Sequence, residues 1–303
     1  MTDLSEKILK EFQVRKTKKQ KLAFIKFLNS NFKDLKVQKG GFPQSRNIIL
    51  GDIDSAKLVL TAHYDTCAWL PFPNLITPKN LLVYMLYSIA IALPILALGF
   101  IFNILLSLIV NDPVLNHVFS LIFYILLIYM MLAGPANKHT ANDNTSGVIT
   151  LCEIYQAMTP KQRAETAIVF FDNEELGLVG SSYFRSKYKK QMKNKLLINF
   201  DCVSDGDHIL IGVNKNAWTP YYDKIASCFQ STESKNIIIE KAEKLVYPSD
   251  QSNFKCTMAV AALNKKKFVG YYMSKIHTGK DTVFDWNNIS LLQDSTIKFI
   301  DSL

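Results

Sequence analysis

Short apolar runs alternate with longer amphipathic stretches along this chain. Leu58–Ala62, Ala167–Phe171, Leu196–Phe200, Ile209–Val213, Asn236–Glu240 and Met258–Leu263 are continuous or nearly so, the pattern of strands buried on both faces. Apolar residues at helical spacing fill roughly 5–13, 18–32, 146–158, 176–192, 218–230 and 288–302. Helices between apolar strands imply crossover connections. The expected fold class is therefore α/β: a mostly parallel mixed sheet covered by helices on both faces. Ligands of such sheets gather beyond the carboxyl ends of the strands.

One region breaks the alternation. Residues 80–110 carry no charge from Leu81 to Val110, and 114–134 are nearly as apolar, with Asn116 and His117 near the start. A bilayer span needs about 20 apolar residues, so the first stretch suffices even with a kink at Pro94. Asn111–Asp112–Pro113 makes a tight turn between the two. The pattern predicts an inserted transmembrane helical hairpin over 79–134, with the lipid bilayer as its partner through 80–134. Residues 1–78 and 135–303 then form the main domain. A buried helical pair serving as a dimer interface or lid is the alternative. Lys79 and Lys138 flank the hairpin while its turn holds only Asp112, so the main domain is expected to face the cytoplasm.

Composition agrees with a cytoplasmic location. The 303 residues, 49% of them hydrophobic, can bury a full core. Cys67, Cys152, Cys202, Cys228 and Cys256 are odd in number, scattered and free of CxxC spacing, which argues against disulfides and for a reducing compartment. The lysine-rich first thirty residues contain no apolar signal segment. The net charge of +9 comes partly from Arg15–Lys21 and Arg185–Lys195. Such runs are expected to be solvated helix faces, with an anionic lipid surface as the next candidate. Nucleic acid is not expected, since no aromatic-interleaved basic motif accompanies them. Oligomeric state is not legible.

Polar residues cluster where the apolar runs end. The first runs into His63–Tyr64–Asp65, the second into Glu174–Glu175, the third into Asp201; Asp143 precedes a helix and His277 lies in a late loop. Two imidazoles and several carboxylates on one rim form a nitrogen and oxygen ligand set. It suits zinc, or manganese or cobalt, better than calcium. Adjacent glutamates at a strand end point to different sides. One can bind metal while its neighbour stays free to take a proton from an activated water.

Six stretches resemble a known family: "LTAHYDT", "ANDNTSGV", "FFDNEELGLVGS", "INFDCVSDG", "SDQSNF" and "IHTGKDT". In this order they are similar to the co-catalytic zinc aminopeptidases, which include leucyl aminopeptidase, aminopeptidase Y, glutamate carboxypeptidase and glutaminyl cyclase. The resemblance covers nearly all of the chain outside about residues 70–138. It implies two Zn2+ ions per chain and a peptide substrate. His63 would bind one metal and His277 the other, Asp143 would bridge the pair, and Glu175 would complete one metal's shell and Asp201 the other's. Glu174 would be the general base, and Asp65 would orient the His63 imidazole. The expected activity is removal of N-terminal residues at the membrane surface. Carboxypeptidase or glutaminyl cyclase chemistry, or a silent membrane receptor, are the alternatives.

The remaining candidates receive structural roles. His117, His139 and His208 match no motif position, Asp172, Asp205 and Asp207 suit turns or caps, and the cysteines suit buried apolar sites. Asp281 suits loop support as well as catalysis. Gln251 stands where the family often has histidine, which leaves substrate preference unread.

Overall fold

The computed structural model describes the whole chain, Met1 to Leu303. Its strands are β1 (Lys36–Gly40), β2 (Ser45–Leu50), β3 (Leu58–His63), β4 (Thr166–Phe171), β5 (Leu196–Phe200), β6 (His208–Val213), β7 (Asn236–Lys241), β8 (Thr257–Lys266) and β9 (Gly270–Tyr272). Its helices are α1 (Asp3–Glu11), α2 (Lys18–Asn31), α3 (Leu81–Ser107), α4 (Pro113–Ala133), α5 (Gly147–Ala157), α6 (Pro160–Glu165), α7 (Val179–Lys187), α8 (Lys215–Cys228) and α9 (Trp286–Asp301). The strands lie in the order β1-β2-β4-β3-β5-β8-β6-β7, with β9 paired to β8. The central β4, β3, β5 and β8 run parallel. Antiparallel β2 and β6 flank them.

Every residue of β3, β4 and β5 is buried, which explains why their sequences are apolar runs. The two faces still divide by alternation. Leu58, Leu60, Ala62, Ile168 and Phe170 face a core built with α1, α2, α5, α8 and α9. Val59, Ala167, Val169 and Phe171 face the other way, against Phe184 of α7 and Phe254. Strands β1, β2 and β9 extend the sheet beyond the sequence expectation. β1 reads Lys-Val-Gln-Lys-Gly and β9 has three residues, so neither carries a buried-strand signal.

The run Arg15–Lys21 departs from its expected solvated character at both ends. Arg15 is fully buried, its Nε donating to the Tyr64 carbonyl and its guanidinium facing the Phe24 ring. Lys21 is buried in an ion pair with Asp172, so Asp172 anchors α2 rather than capping a turn. Lys18 and Lys19 are exposed. Thr17 starts α2 with a capping box to Gln20.

Helices α3 and α4 form the expected hairpin, and each is long and apolar enough to cross a membrane. They touch mainly each other. Phe102 stacks on Phe123 with ring centroids 4.2 Å apart, and Asn103 donates to Ser120 Oγ at 2.8 Å. Gly99 sits against the Tyr124 ring, where a Cβ would collide. Only Gly99 of α3 and Asn116 and Ser120 of α4 are buried. The outward faces, including Leu82, Leu93, Phe100, Leu121 and Tyr129, are exposed. Nothing in the rest of the chain covers them.

Candidate metal centre

The carboxyl ends of β3, β4 and β5 open on one rim, and the chain brings all seven candidate residues to it. His63 ends β3 and Glu174–Glu175 follow β4, as Asp201 follows β5. Asp143 lies in the irregular turn Ala141–Ser146 that leads into α5. His277 arrives from the loop after β9.

Asp143 stands between the imidazoles. Its Oδ1 is 3.2 Å from His63 Nε2 and its Oδ2 is 3.1 Å from His277 Nε2. Asp201 Oδ1 is 3.5 Å from His63 Nε2, and Glu175 Oε2 is 3.3 Å from His277 Nε2. Donors about 2.1 Å from one tetrahedral ion lie about 3.4 Å apart. The spacing therefore matches two three-donor cups that share Asp143. Glu174 faces His63 and forms no ion pair with His277.

Supporting residues hold this arrangement. Asp65 accepts from the backbone N–H of Glu174 at 3.0 Å and of Glu175 at 3.3 Å, and its Oδ1 lies 3.5 Å from His63 Nδ1. One carboxylate thus supports the His63 imidazole and both glutamates. Asp281 accepts from the N–H of Asn142 at 2.8 Å and of Asp143 at 3.0 Å, which makes it a loop support. Asn142 Oδ1 accepts from Ser204 and Asp205, and Asn144 Oδ1 from Gly147 and Cys202. The asparagines in "ANDN" thereby tie this turn to the one after β5. Gly147 is required there: a Cβ would lie 2.4 Å from both Asn144 Oδ1 and the Phe200 carbonyl. Asn173, Cys202 and His277 adopt positive φ without being glycine. Such backbone costs about 1–3 kcal/mol each and collects at functional sites.

The electrostatics call for cations. Asp65, Asp143, Glu174, Glu175 and Asp201 crowd two imidazoles. Burial lifts the Glu174 carboxyl well above the ordinary range; His63 opposes this and Glu175 adds to it. Burial also pushes Glu175 up to about 8. Burial resists charge on His63, but Glu174, Asp143, Asp201 and Asp65 outweigh it and raise the imidazole well above its usual value. Glu175 Oε1 and both oxygens of Asp250 are buried without hydrogen-bond partners. Glu175, which keeps an orphaned oxygen and shares donor groups with both imidazoles, fits a divalent ion such as zinc.

Sequence reasoning missed three site neighbours: Asp250, Arg15 and Cys67, whose Sγ shares a donor group with Asp143, Glu175 and His277. Asp250 is fully buried, and burial pushes it up to about 7. Its motif "SDQSNF" was the available signal. Arg15 sits under the rim, held by burial at about 10 against the opposing pull of Asp65, Tyr64 and Asp143. Nothing in its lysine-rich run marks it. Gln251 donates to the Tyr247 carbonyl and accepts from Asn199, so its amide braces the loop. His117, His139 and His208 lie outside the site's donor groups.

The model of peptidase family M28 matches residues 125–300, more than half of the chain. The chain belongs to peptidase family M28. The match includes Asp143, Glu174, Glu175, Asp201 and His277, and begins after His63. A zinc-dependent exopeptidase from Parabacteroides distasonis superposes with a TM-score of 0.59 at 15% identity, covering 98% of this chain and 94% of that one. A glutaminyl cyclase from Porphyromonas gingivalis superposes with 0.60 at 14% identity, covering 99% and 97%. The LapA aminopeptidase of Legionella pneumophila gives 0.56 at 12% identity, covering 99% and 69%. These likenesses show a shared fold. No curated protein sequence matches the chain.

A cavity of about 420 Å3 opens beside the M28 site, lined by Glu175, Asp65, Lys16 and the hairpin's returning end, Ala133–Ala136. The hairpin base is pinned here as well. Leu70 N–H donates to the His277 carbonyl at 2.7 Å, and Asn137 Nδ2 to the Thr278 carbonyl at 3.0 Å. Trp69 N–H donates to the Pro135 carbonyl at 2.8 Å, closing the two ends.

Proposed function

We propose that this chain is a di-zinc aminopeptidase anchored in the membrane by α3 and α4, working at the bilayer surface. The observation that carries the di-metal assignment is Asp143, whose two oxygens face different imidazoles at 3.2 and 3.1 Å. His63 and Asp201 would hold one zinc and His277 and Glu175 the other. Zinc bound there would supply Lewis-acid polarisation of the scissile carbonyl and a water acidic enough to ionise near neutral pH. Glu174 would serve as the general base, taking the proton of the attacking water and passing it to the leaving amine. Its burial keeps a proton acceptor in a low-dielectric pocket, and Asp65 fixes its backbone. Asp281 holds the Asp143 turn in register with both cups.

The uncovered faces of α3 and α4 support a membrane anchor. At about 1.5 Å per residue the helices are about 40 and 32 Å long, against a hydrocarbon core of about 30 Å. Lys79 and Lys138 at the base, against Asp112 in the turn, favour a catalytic domain on the cytoplasmic side. Because residues at the hairpin base bond to the His277 loop, substrates would meet the site close to the headgroups.

The test is an assay of zinc-loaded protein on peptides with free and blocked termini, including peptides that begin with glutamine. Hydrolysis confined to substrates with a free amino terminus supports the proposal. Cleavage from the carboxyl end, or cyclisation of N-terminal glutamine with release of ammonia, assigns another amide chemistry to the scaffold.

A further inference from the structure

Cys152 and Cys256 sit in the large apolar core and Cys202 in a small one, as buried cysteines usually do. Cys67 is different. It is fully buried, yet it belongs to none of the apolar clusters. Its Sγ joins donor atoms of Asp143, Glu175 and His277 in a group whose members all lie within 4.8 Å of one another. With Zn–S near 2.3 Å and Zn–N or Zn–O near 2.0–2.2 Å, donors of one tetrahedral ion sit about 3.2–3.7 Å apart. Closing the group onto an ion therefore needs shifts of only about an ångström.

A second observation points to a cation at this spot. Glu175 Oε1 has no hydrogen-bond partner, although its side chain is only 8% exposed. The loop that carries the thiol is also fixed. The Cys67 carbonyl accepts from the Asn137 N–H at 3.1 Å, and Arg15 N–H donates to Thr66 Oγ1 at 2.8 Å.

We propose that Cys67 is the fourth protein donor to the metal held by Asp143, Glu175 and His277. The proposal rests on the di-metal assignment above. A thiol among carboxylates keeps its proton until a cation arrives; metal binding then displaces that proton to solvent. The two metal positions become unequal. Four protein donors would hold the metal at His277, against three, His63, Asp201 and the shared Asp143, for the metal beside Glu174. A Cys67 thiolate also requires a reducing compartment, because oxidation of the sulfur would remove the donor.

The test uses the full chain in detergent, stripped with chelator and loaded with two equivalents of Co2+, with bound metal measured by elemental analysis. The wild type is expected to show a thiolate-to-cobalt charge-transfer band in the near ultraviolet. Cys67→Ser should lose it. Cys202→Ser, whose sulfur lies 3.2 Å from Asp201 Oδ1, should keep it. Because thiolates favour soft ions, Cys67→Ser should also weaken Cd2+ binding at one position by about tenfold or more, and Mn2+ binding far less. Two bound cobalt ions without the band, or a band that persists in Cys67→Ser, overturns the Cys67 assignment and leaves the di-metal site standing. Failure of the wild type to bind cobalt overturns both.

Discussion

Asp281 holds Asp143 by its backbone: Asp281 Oδ2 accepts from the Asp143 N–H at 3.0 Å. The carboxylate that faces both imidazoles is thus fixed by a second, buried carboxylate with no imidazole of its own. Asp281→Ala is expected to loosen the turn and lower metal affinity or activity by about 10–100-fold, the usual cost of removing a support behind a ligand. Parallel metal titration and kinetics check this.

Glu174→Gln is expected to retain its metals and lose about 10²–10⁴-fold in kcat, the usual share of a general base. Glu174 faces His63 without completing an ion pair to either imidazole, so its charge is not needed to hold the cups together. Metal analysis beside kinetics decides the point. Loss of metal together with activity would mean that the roles of Glu174 and Glu175 are exchanged.

Gly147→Ala tests why the turn before α5 needs glycine. The added Cβ would lie 2.4 Å from two oxygens, and overpacking of this kind costs about 1–3 kcal/mol. Thermal unfolding should show a clear drop in Tm. An unchanged Tm would mean that the turn adjusts freely and is not a fixed platform for Asp143.

The hairpin prediction concerns the whole chain in cells. The protein should partition into membranes, resist alkaline carbonate extraction and need detergent. With the native thiols removed, a cysteine placed at Asn111 should be labelled from the far side of the membrane, while one at Lys195 should not. Elution from the cytosolic fraction as a detergent-free dimer would make residues 80–134 an interface between subunits.

The sequence exposes the parts of this fold whose physics is local. β3, β4 and β5 are buried on both sides and therefore written as apolar runs, and α3 and α4 as charge-free ones. The edge strand β1 keeps lysine and glutamine because one side meets water, so no run announces it. At the site, His63, Asp143, Glu174, Glu175, Asp201 and His277 each stand at the end of an element with a recognisable motif. Asp250 and Arg15 escaped because burial gave them their character. A buried guanidinium under the rim and an unpartnered carboxylate beside it exist only once the chain has folded. Cys67 was hidden in the same way, since its distance from His277 along the chain says nothing of the shared donor group.

Zinc counting tests the central claim, that Asp143 joins two metals, most directly. Wild-type protein loaded with zinc and dialysed should retain two equivalents per chain. Folded Asp143→Ala should lose occupancy at both positions, because a shared ligand is removed from each. A wild type that saturates at one zinc, or an Asp143→Ala variant that binds two equivalents with unchanged affinity, would contradict the account.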